Sequence, residues 1–314
     1  MTEKQIMTDV LIVGAGTAGL TAAVYAARAG KSVKLVEQYL QGGQIINASH
    51  VENFPGFESI AGFEFAEALY NQAIKMGAEI VYDKVTGLQD YGSHKGVQTE
   101  YGGELLAKAV ILATGARVRP LGLENEDRFI GSGVSYCATC DGAFYKDRTA
   151  VVVGGGNVAA EDAVFLSGLC ERVYLVHRRD ALRADQALQE KVFACENIEM
   201  VWDSVPLEIL GQDEVTGLKI RNIKTNEERE LTAEGVFIAV GIVPNTTLVK
   251  DQLKLDENGY ICAGEEGVTS APGVFAAGDI RTKALRQIVT AVSDGANAVA
   301  SAQKYLWRKD NGND

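Results

Sequence analysis

The stretch Val10-Leu-Ile-Val-Gly-Ala-Gly-Thr-Ala-Gly19 is a short apolar run that turns on glycines, and Ala150-Val-Val-Val-Gly-Gly-Gly-Asn-Val-Ala159 repeats it 140 positions later (150 minus 10). Each leads into an alanine-rich helical stretch, Leu20 to Ala29 and Ala160 to Leu169, and then into a second apolar run, Val33 to Val36 and Val173 to Val176. Strand, helix, strand in that order is the parallel βαβ unit. The fold class that follows is α/β, with two Rossmann-like dinucleotide-binding domains.

Each glycine in the turn has its own physical task. Gly14 allows the tight bend, Gly16 lets a pyrophosphate approach the backbone, and Gly19 lets helix and strand pack closely, with the helix N-terminus facing the phosphates. Gly154, Gly156 and Ala159 take those places in the second copy. One G-x-G-x-x-G also arises from packing alone; two copies in register, each with its second strand at the right distance, argue for two nucleotides.

The second strands indicate which nucleotide goes where. The residue 23 positions after the first glycine is Glu37 in one copy (37 minus 14) and His177 in the other (177 minus 154). An acid there accepts hydrogen bonds from a free ribose 2′-hydroxyl, whereas cations suit a 2′-phosphate. Arg178, Arg179 and Arg183 follow His177 and offer bidentate guanidinium contacts to phosphate. Copy one is therefore expected to hold FAD or NAD, and copy two NADP. A solvated charged surface is the alternative for the arginines. Two more apolar runs, Val110 to Gly115 and Val236 to Gly241, close the two copies, and a third, Val274 to Asp279, precedes a helical stretch from Gln287 to Trp307. This order inserts copy two into copy one, with crossings near Ala116 to Pro120 and Pro244 to Thr247 and domains at 1–117, 118–245 and 246–314.

Composition limits the partners. The 314 residues carry 42 acidic against 30 basic side chains, a net charge of −12. That excess argues against nucleic acid or an anionic membrane as partner. No apolar run approaches the roughly 20 residues of a membrane span, and Met1 to Asp9 lacks the features of a secretory signal. A cytoplasmic location is expected. The 34 glycines against 5 prolines point to repeated close backbone approaches rather than to linker.

Five cysteines do not make a disulfide scaffold in a chain this long. Only Cys137 and Cys140 are close, in Tyr136-Cys-Ala-Thr-Cys-Asp-Gly142. A zinc site needs four ligands, and His50, His94 and His177 are not suitably spaced, so no metal is expected. A redox-active dithiol remains. A disulfide takes hydride from a nicotinamide efficiently only through a mediator such as a flavin, and exchange needs a thiolate and an acid. Asp141 is the nearest titratable candidate for that acid, with an exposed carboxylate of no function as the alternative. Cys170, Cys195 and Cys262 read as buried small apolar residues.

These motifs, together with Gly42-Gly-Gln44, Val51-Glu-Asn-Phe-Pro-Gly56, Ala113-Thr-Gly115, Gly278-Asp279 and Arg286-Gln287, resemble the bacterial low-molecular-weight thioredoxin reductases along nearly the whole chain. The resemblance implies an FAD domain interrupted by an NADPH domain, a homodimer, and thioredoxin or a thioredoxin-like protein as acceptor. It implies that Gly43, Gln44 and Asn53 join Glu37 at the FAD site, that Gly278 and Asp279 meet the ribityl chain, and that Arg286 and Gln287 lie beside the flavin. Asn157 belongs to the second glycine turn. By the same carry-over Cys140 is the sulfur nearest the flavin, Cys137 attacks the partner's disulfide, Asp141 is the acid, and the NADPH domain rotates about the crossings. Thr17 and Val158 depart from residues common in the family. Larger glutathione-reductase-type enzymes use a C-terminal histidine as acid, and here no histidine follows His177.

Two other readings stand beside this one. One keeps the fold but takes its electrons from ferredoxin or delivers them to a peroxiredoxin-like protein or a small disulfide; the arginines count against ferredoxin. A non-enzymatic, redox-sensing flavoprotein would leave the dithiol idle.

Overall fold

A computed structural model describes residues 7–48 and 51–312. Residues 1–6 of the N-terminal segment and His50 lie outside them. Among the described residues six α-helices form: α1 (Thr17–Arg28), α2 (Gly62–Lys75), α3 (Ala138–Asp141), α4 (Asn157–Ser167), α5 (Gln186–Ala194) and α6 (Ile288–Asp310). The chain divides into two compact units, Met1–Arg117 with Val243–Asp314, and Val118–Ile242. The segments Ala116–Val118 and Ile242–Pro244, where the chain crosses, pair as a two-stranded sheet.

In the first unit the strand Thr8–Val13 lies between Val33–Glu37 and Gly103–Leu112, parallel to both. Glu79–Tyr82 extends the sheet on one side and Val274–Ala276 pairs with Gly103–Leu112. Val10, Leu11 and Ile12 are fully buried, because helices or loops cover both faces of a parallel sheet; that is why the strand is a continuous apolar run rather than an alternating one. Two antiparallel strands, Val85–Asp90 and Lys95–Thr99, complete the sheet. A Cβ on Gly19 would stand 1.9 Å from the Gly14 carbonyl oxygen, and one on Gly295 of α6 would stand 2.3 Å from the Ala18 carbonyl oxygen. Both glycines let a helix seat against its neighbour, the first against the turn and the second against α1.

The second unit repeats the plan with a five-stranded parallel sheet in which Thr149–Gly154 lies between Arg172–Val176 and Gly235–Ala239. Ala159 is fully buried, and a Cβ on Gly154 would fall 2.4 Å from the Ala239 carbonyl oxygen. A separate antiparallel sheet is built from Ser204–Gly211, Val215–Asn222 and Glu228–Thr232. Both glycine-turn helices begin three residues before their first aliphatic-rich stretch, at Thr17 and Asn157. Helical hydrogen bonding starts as soon as the glycine has turned the chain, whatever the hydropathy.

The minor cysteines need correction. Cys170 is buried, but Cys195 and Cys262 are only half-buried. Cys195 follows the end of α5, where its sulfur donates to the Lys191 carbonyl at 3.3 Å and accepts from Ser167 Oγ at 3.3 Å. It serves a polar helix end rather than an apolar core.

Candidate nucleotide and dithiol sites

In the first unit the chain folds the expected residues around one glycine turn. Gly14 has φ +101°, a conformation open to glycine at little cost. Gly16 caps α1 without any side-chain hydrogen bond, so the first helical N–H groups are left for an incoming anion. Gly42 donates to the Ala15 carbonyl at 2.7 Å, and a Cβ on Gly43 would lie 3.1 Å from the Gly16 Cα. The Glu37 carboxylate at the strand end accepts from Ala15 N at 2.7 Å and from Tyr39 N at 2.9 Å. One lone pair on each oxygen is thereby used, which fixes the carboxylate and leaves the others for a ligand. Gln44 donates to the Ala116 carbonyl.

The C-terminal residues belong to the same unit. Asn53 Nδ2 donates to Gln287 Oε1 at 3.0 Å, joining residues 234 apart in sequence. Asp279 Oδ1 and Arg286 Nε are buried without a hydrogen-bond partner among the described residues. Burial raises the Asp279 carboxyl above the usual Asp range even though Lys283 and Arg286 pull it down. A buried carboxylate oxygen and a buried guanidinium N–H without partners are the groups that a polyhydroxylated ligand with a ring acceptor satisfies. These residues therefore fit FAD.

In the second unit Gly156 caps α4, again without a side-chain bond, and no atom lies within 4 Å of a Cβ built on it. His177 fills the strand-end position; a Cβ on Gly155 would clash with its ring at 2.2 Å. Burial first, then Arg183, Arg179 and Arg178, push the His177 pKa down. Its Nε2 is buried without a hydrogen-bond partner among the described residues. Arg183 N donates to the Gly155 carbonyl at 2.7 Å, which brings that arginine's backbone over the glycine turn. The nearby ion pairs go to Lys224, with Asp180 and Asp203, while Arg178, Arg179 and Arg183 stay exposed. Asn157 exchanges hydrogen bonds with Asp185, 2.7 Å to its Oδ2 and 2.9 Å from its N. The uncapped helix and the basic strand end, whose neighbouring acids Asp180 and Asp203 are paired with Lys224 rather than with the arginines, fit NADPH.

The second unit also carries the dithiol. Cys137 and Cys140 form a disulfide with Cα atoms 5.3 Å apart. Cys137 is the N-cap of α3, and Cys140 N donates to Cys137 Sγ at 3.2 Å. A Cβ on Gly142 would meet Phe165 at 2.9 Å and Leu166 at 3.0 Å, so glycine there lets the dithiol turn pack on α4. The Asp141 carboxylate accepts from Ser135 Oγ at 2.6 Å.

Several side chains in these sites were not singled out from the sequence. Asp294 is almost fully buried and accepts from Gly278 N, Arg281 and Lys283. The Arg286 guanidinium carbon stands 3.9 Å from the Tyr260 ring centroid, close enough for cation–π attraction. Thr114 and Asn245 bond each other's carbonyls at 2.9 and 2.8 Å beside the crossings. The signal available for Arg281, Lys283 and Asp294 was the presence of charges beside the apolar run Val274 to Ala277 and on the inner face of a helix.

Two glycine-turn nucleotide folds with a CxxC disulfide define an oxidoreductase that links a nicotinamide nucleotide to thiol chemistry. The sequence profile of the pyridine nucleotide-disulphide oxidoreductases matches residues 8–295, and the chain belongs to that family. It is 44% identical over 307 residues to the thioredoxin reductase of Listeria monocytogenes, covering 98% of this chain and 96% of that protein. It is 46% identical over 301 residues to that of Streptomyces clavuligerus, covering 95% and 94%. The solved Lactococcus lactis thioredoxin reductase in its FR conformation superposes with a TM-score of 0.86 at 42% identity, over 96% of this chain and 99% of that one. No helix among the described residues is long and apolar enough to cross a membrane.

Proposed function

We propose that this chain is an NADPH-dependent, FAD-containing thioredoxin-disulfide reductase whose Cys137–Cys140 pair reduces the disulfide of thioredoxin. The observation that carries this reading is the disulfide itself, seated at the start of α3 in the unit whose glycine turn has a basic strand end. Residues 1–117 and 246–314 form the FAD domain and 118–245 the NADPH domain.

Gly14, Gly16 and Gly19 would let the FAD pyrophosphate reach α1, Glu37 would take the ribose diol, and Gly43, Gln44 and Asn53 would join them at the FAD site. Gly278 and Asp279 hold the ribityl hydroxyls, with Arg286 and Gln287 beside the ring. Gly154, Gly156 and Asn157 shape the NADPH turn, while His177, Arg178, Arg179 and Arg183 select the 2′-phosphate. Bound FAD supplies a carrier that accepts a nicotinamide's hydride and delivers two electrons to a disulfide.

The exchange itself falls to three side chains. Asp141 takes the proton of the Cys137 thiol, and the Cys140 N–H that points at Cys137 Sγ stabilises the thiolate. Cys137 Sγ then bonds one thioredoxin sulfur, the thioredoxin S–S bond breaks, and the departing sulfur takes the proton from Asp141. Cys140 Sγ next bonds Cys137 Sγ, and the second thioredoxin sulfur leaves with the proton of the Cys140 thiol. Two electrons and two protons pass to the partner and the enzyme disulfide re-forms.

A homodimer and a cytoplasmic location complete the reading; the second follows from chemistry that works in a reducing compartment. The test is Cys137→Ser. NADPH should still bleach its flavin while thioredoxin turnover is abolished, and surviving turnover would rule the exchange route out.

A further inference from the structure

We propose that Ser135 is a positioning residue for thiol–disulfide exchange, tying the Asp141 carboxylate to the backbone of the attacking cysteine. The proposal rests on Asp141 as the acid of that step.

Ser135 ends the short strand Val134–Ser135, which pairs in parallel with Val236 and Phe237, and it is only 4% exposed. Its Oγ accepts from Cys137 N at 3.0 Å and stands 2.6 Å from Asp141 Oδ2. A hydroxyl has one proton to give. The competing acceptor, the Cys137 carbonyl, is at 3.3 Å, so the proton goes to the nearer, charged oxygen. The hydrogen bonds then run one way, from Cys137 N–H through Ser135 Oγ–H to Asp141 Oδ2, and each polarises the next.

Backbone bonds close the loop around this link. Asp141 N donates to the Cys137 carbonyl at 3.2 Å and Cys140 N to Cys137 Sγ at 3.2 Å. The acid is thus held to the nucleophile's residue by both its amide and its side chain. The serine engages Oδ2, so the proton exchange with sulfur that the proposed function gives to Asp141 falls to Oδ1. Helix capping does not explain the serine, since Cys137 is the N-cap of α3. Without the hydroxyl, the carboxylate is free to rotate about its side-chain torsions and loses the tie to the Cys137 backbone that Ser135 provides, a loss of positioning that the exchange step alone registers.

The test uses flavin-loaded enzyme, reduced anaerobically with NADPH and mixed with 5,5′-dithiobis(2-nitrobenzoate), whose released thiolate reports exchange by absorbance. Ser135→Ala should exchange about tenfold more slowly, the usual scale for one lost hydrogen bond to a charged group. NADPH should bleach its flavin at the wild-type rate, which also certifies a folded protein. Ser135→Thr, which keeps the hydroxyl, should restore most of the exchange rate, and Ser135→Gly should behave as Ser135→Ala. In an Asp141→Asn background, Ser135→Ala should cost nothing further. Full-rate exchange in Ser135→Ala and Ser135→Gly would overturn the proposal. So would equal slowing with Asp141 present or replaced, because the serine would then act on the dithiol turn alone. Full-rate exchange in Asp141→Asn by itself would instead overturn the assignment of the acid.

Discussion

Asp294→Asn is the most demanding perturbation of the first unit. Asp294 Oδ2 accepts from Gly278 N at 2.9 Å, Arg281 Nε at 2.8 Å and Lys283 Nζ at 2.8 Å, and its Oδ1 stands 2.5 Å from the Arg281 guanidinium. The side chains of Arg281, Lys283 and Asp294 are 8%, 6% and 3% exposed. Two buried cations share one carboxylate, so removing its charge leaves both uncompensated, at a cost of about 3–5 kcal/mol. A domain of 150–250 residues loses roughly 2–4 °C per kcal/mol, which gives a fall in melting temperature on the order of 10 °C. The assay is the temperature of flavin release followed by fluorescence, with tryptophan fluorescence in parallel. Lys283→Met added to Asp294→Asn removes one stranded cation and should recover part of the loss. An Asp294→Asn protein that melts within 1 °C of wild type, or a double variant less stable than the single, would refute the account of this cluster.

Arg178→Ala with Arg179→Ala should raise the KM for NADPH about tenfold or more while sparing NADH, since each guanidinium contact to a phosphate is a charge-assisted bond; an unchanged ratio would return both arginines to a solvated face. Asp279 has a raised pKa in the fold, so the free protein binds more protons than its unfolded chain just above the usual Asp value and loses stability as pH rises through that window. Asp279→Asn should therefore leave the flavin-free protein at least as stable at pH 8 while weakening FAD binding, measured by quenching of flavin fluorescence. Asp162 of α4 is raised to about 7 by burial and by Glu161. The same sign applies: its ionisation costs stability as pH rises from roughly 4 to 7, and Asp162→Asn should raise the melting temperature clearly more at pH 8 than at pH 5.

How much was legible follows from what each residue depends on. The two nucleotide folds were legible because a doubly covered parallel strand must be an apolar run and the turn after it must be glycine; both constraints act within about 25 residues. The Asn53–Gln287 bond spans 234 positions and has no local signature; only the resemblance linked both residues to the flavin. The antiparallel strands Val85–Asp90, Lys95–Thr99, Ser204–Gly211, Val215–Asn222 and Glu228–Thr232 escaped notice because they mix exposed and buried residues without a glycine turn of the nucleotide type. Ser135 was invisible for another reason. Its importance lies in which acceptor its one proton chooses, and that depends on a carboxylate six residues away being folded back over it. Cys195 was misread because a free cysteine is usually apolar packing, whereas a helix end offered it polar partners.

The central claim is that NADPH electrons leave this protein through Cys137 and Cys140 onto thioredoxin. The most direct measurement mixes flavin-loaded enzyme with oxidised thioredoxin in tenfold excess over the enzyme and NADPH in excess over the thioredoxin, without oxygen, and counts NADPH consumed against thioredoxin thiols formed. The expected result is two thiols for every NADPH, continuing until the thioredoxin is exhausted. Flavin that bleaches once and stops, with no thiols appearing on thioredoxin, would contradict the account.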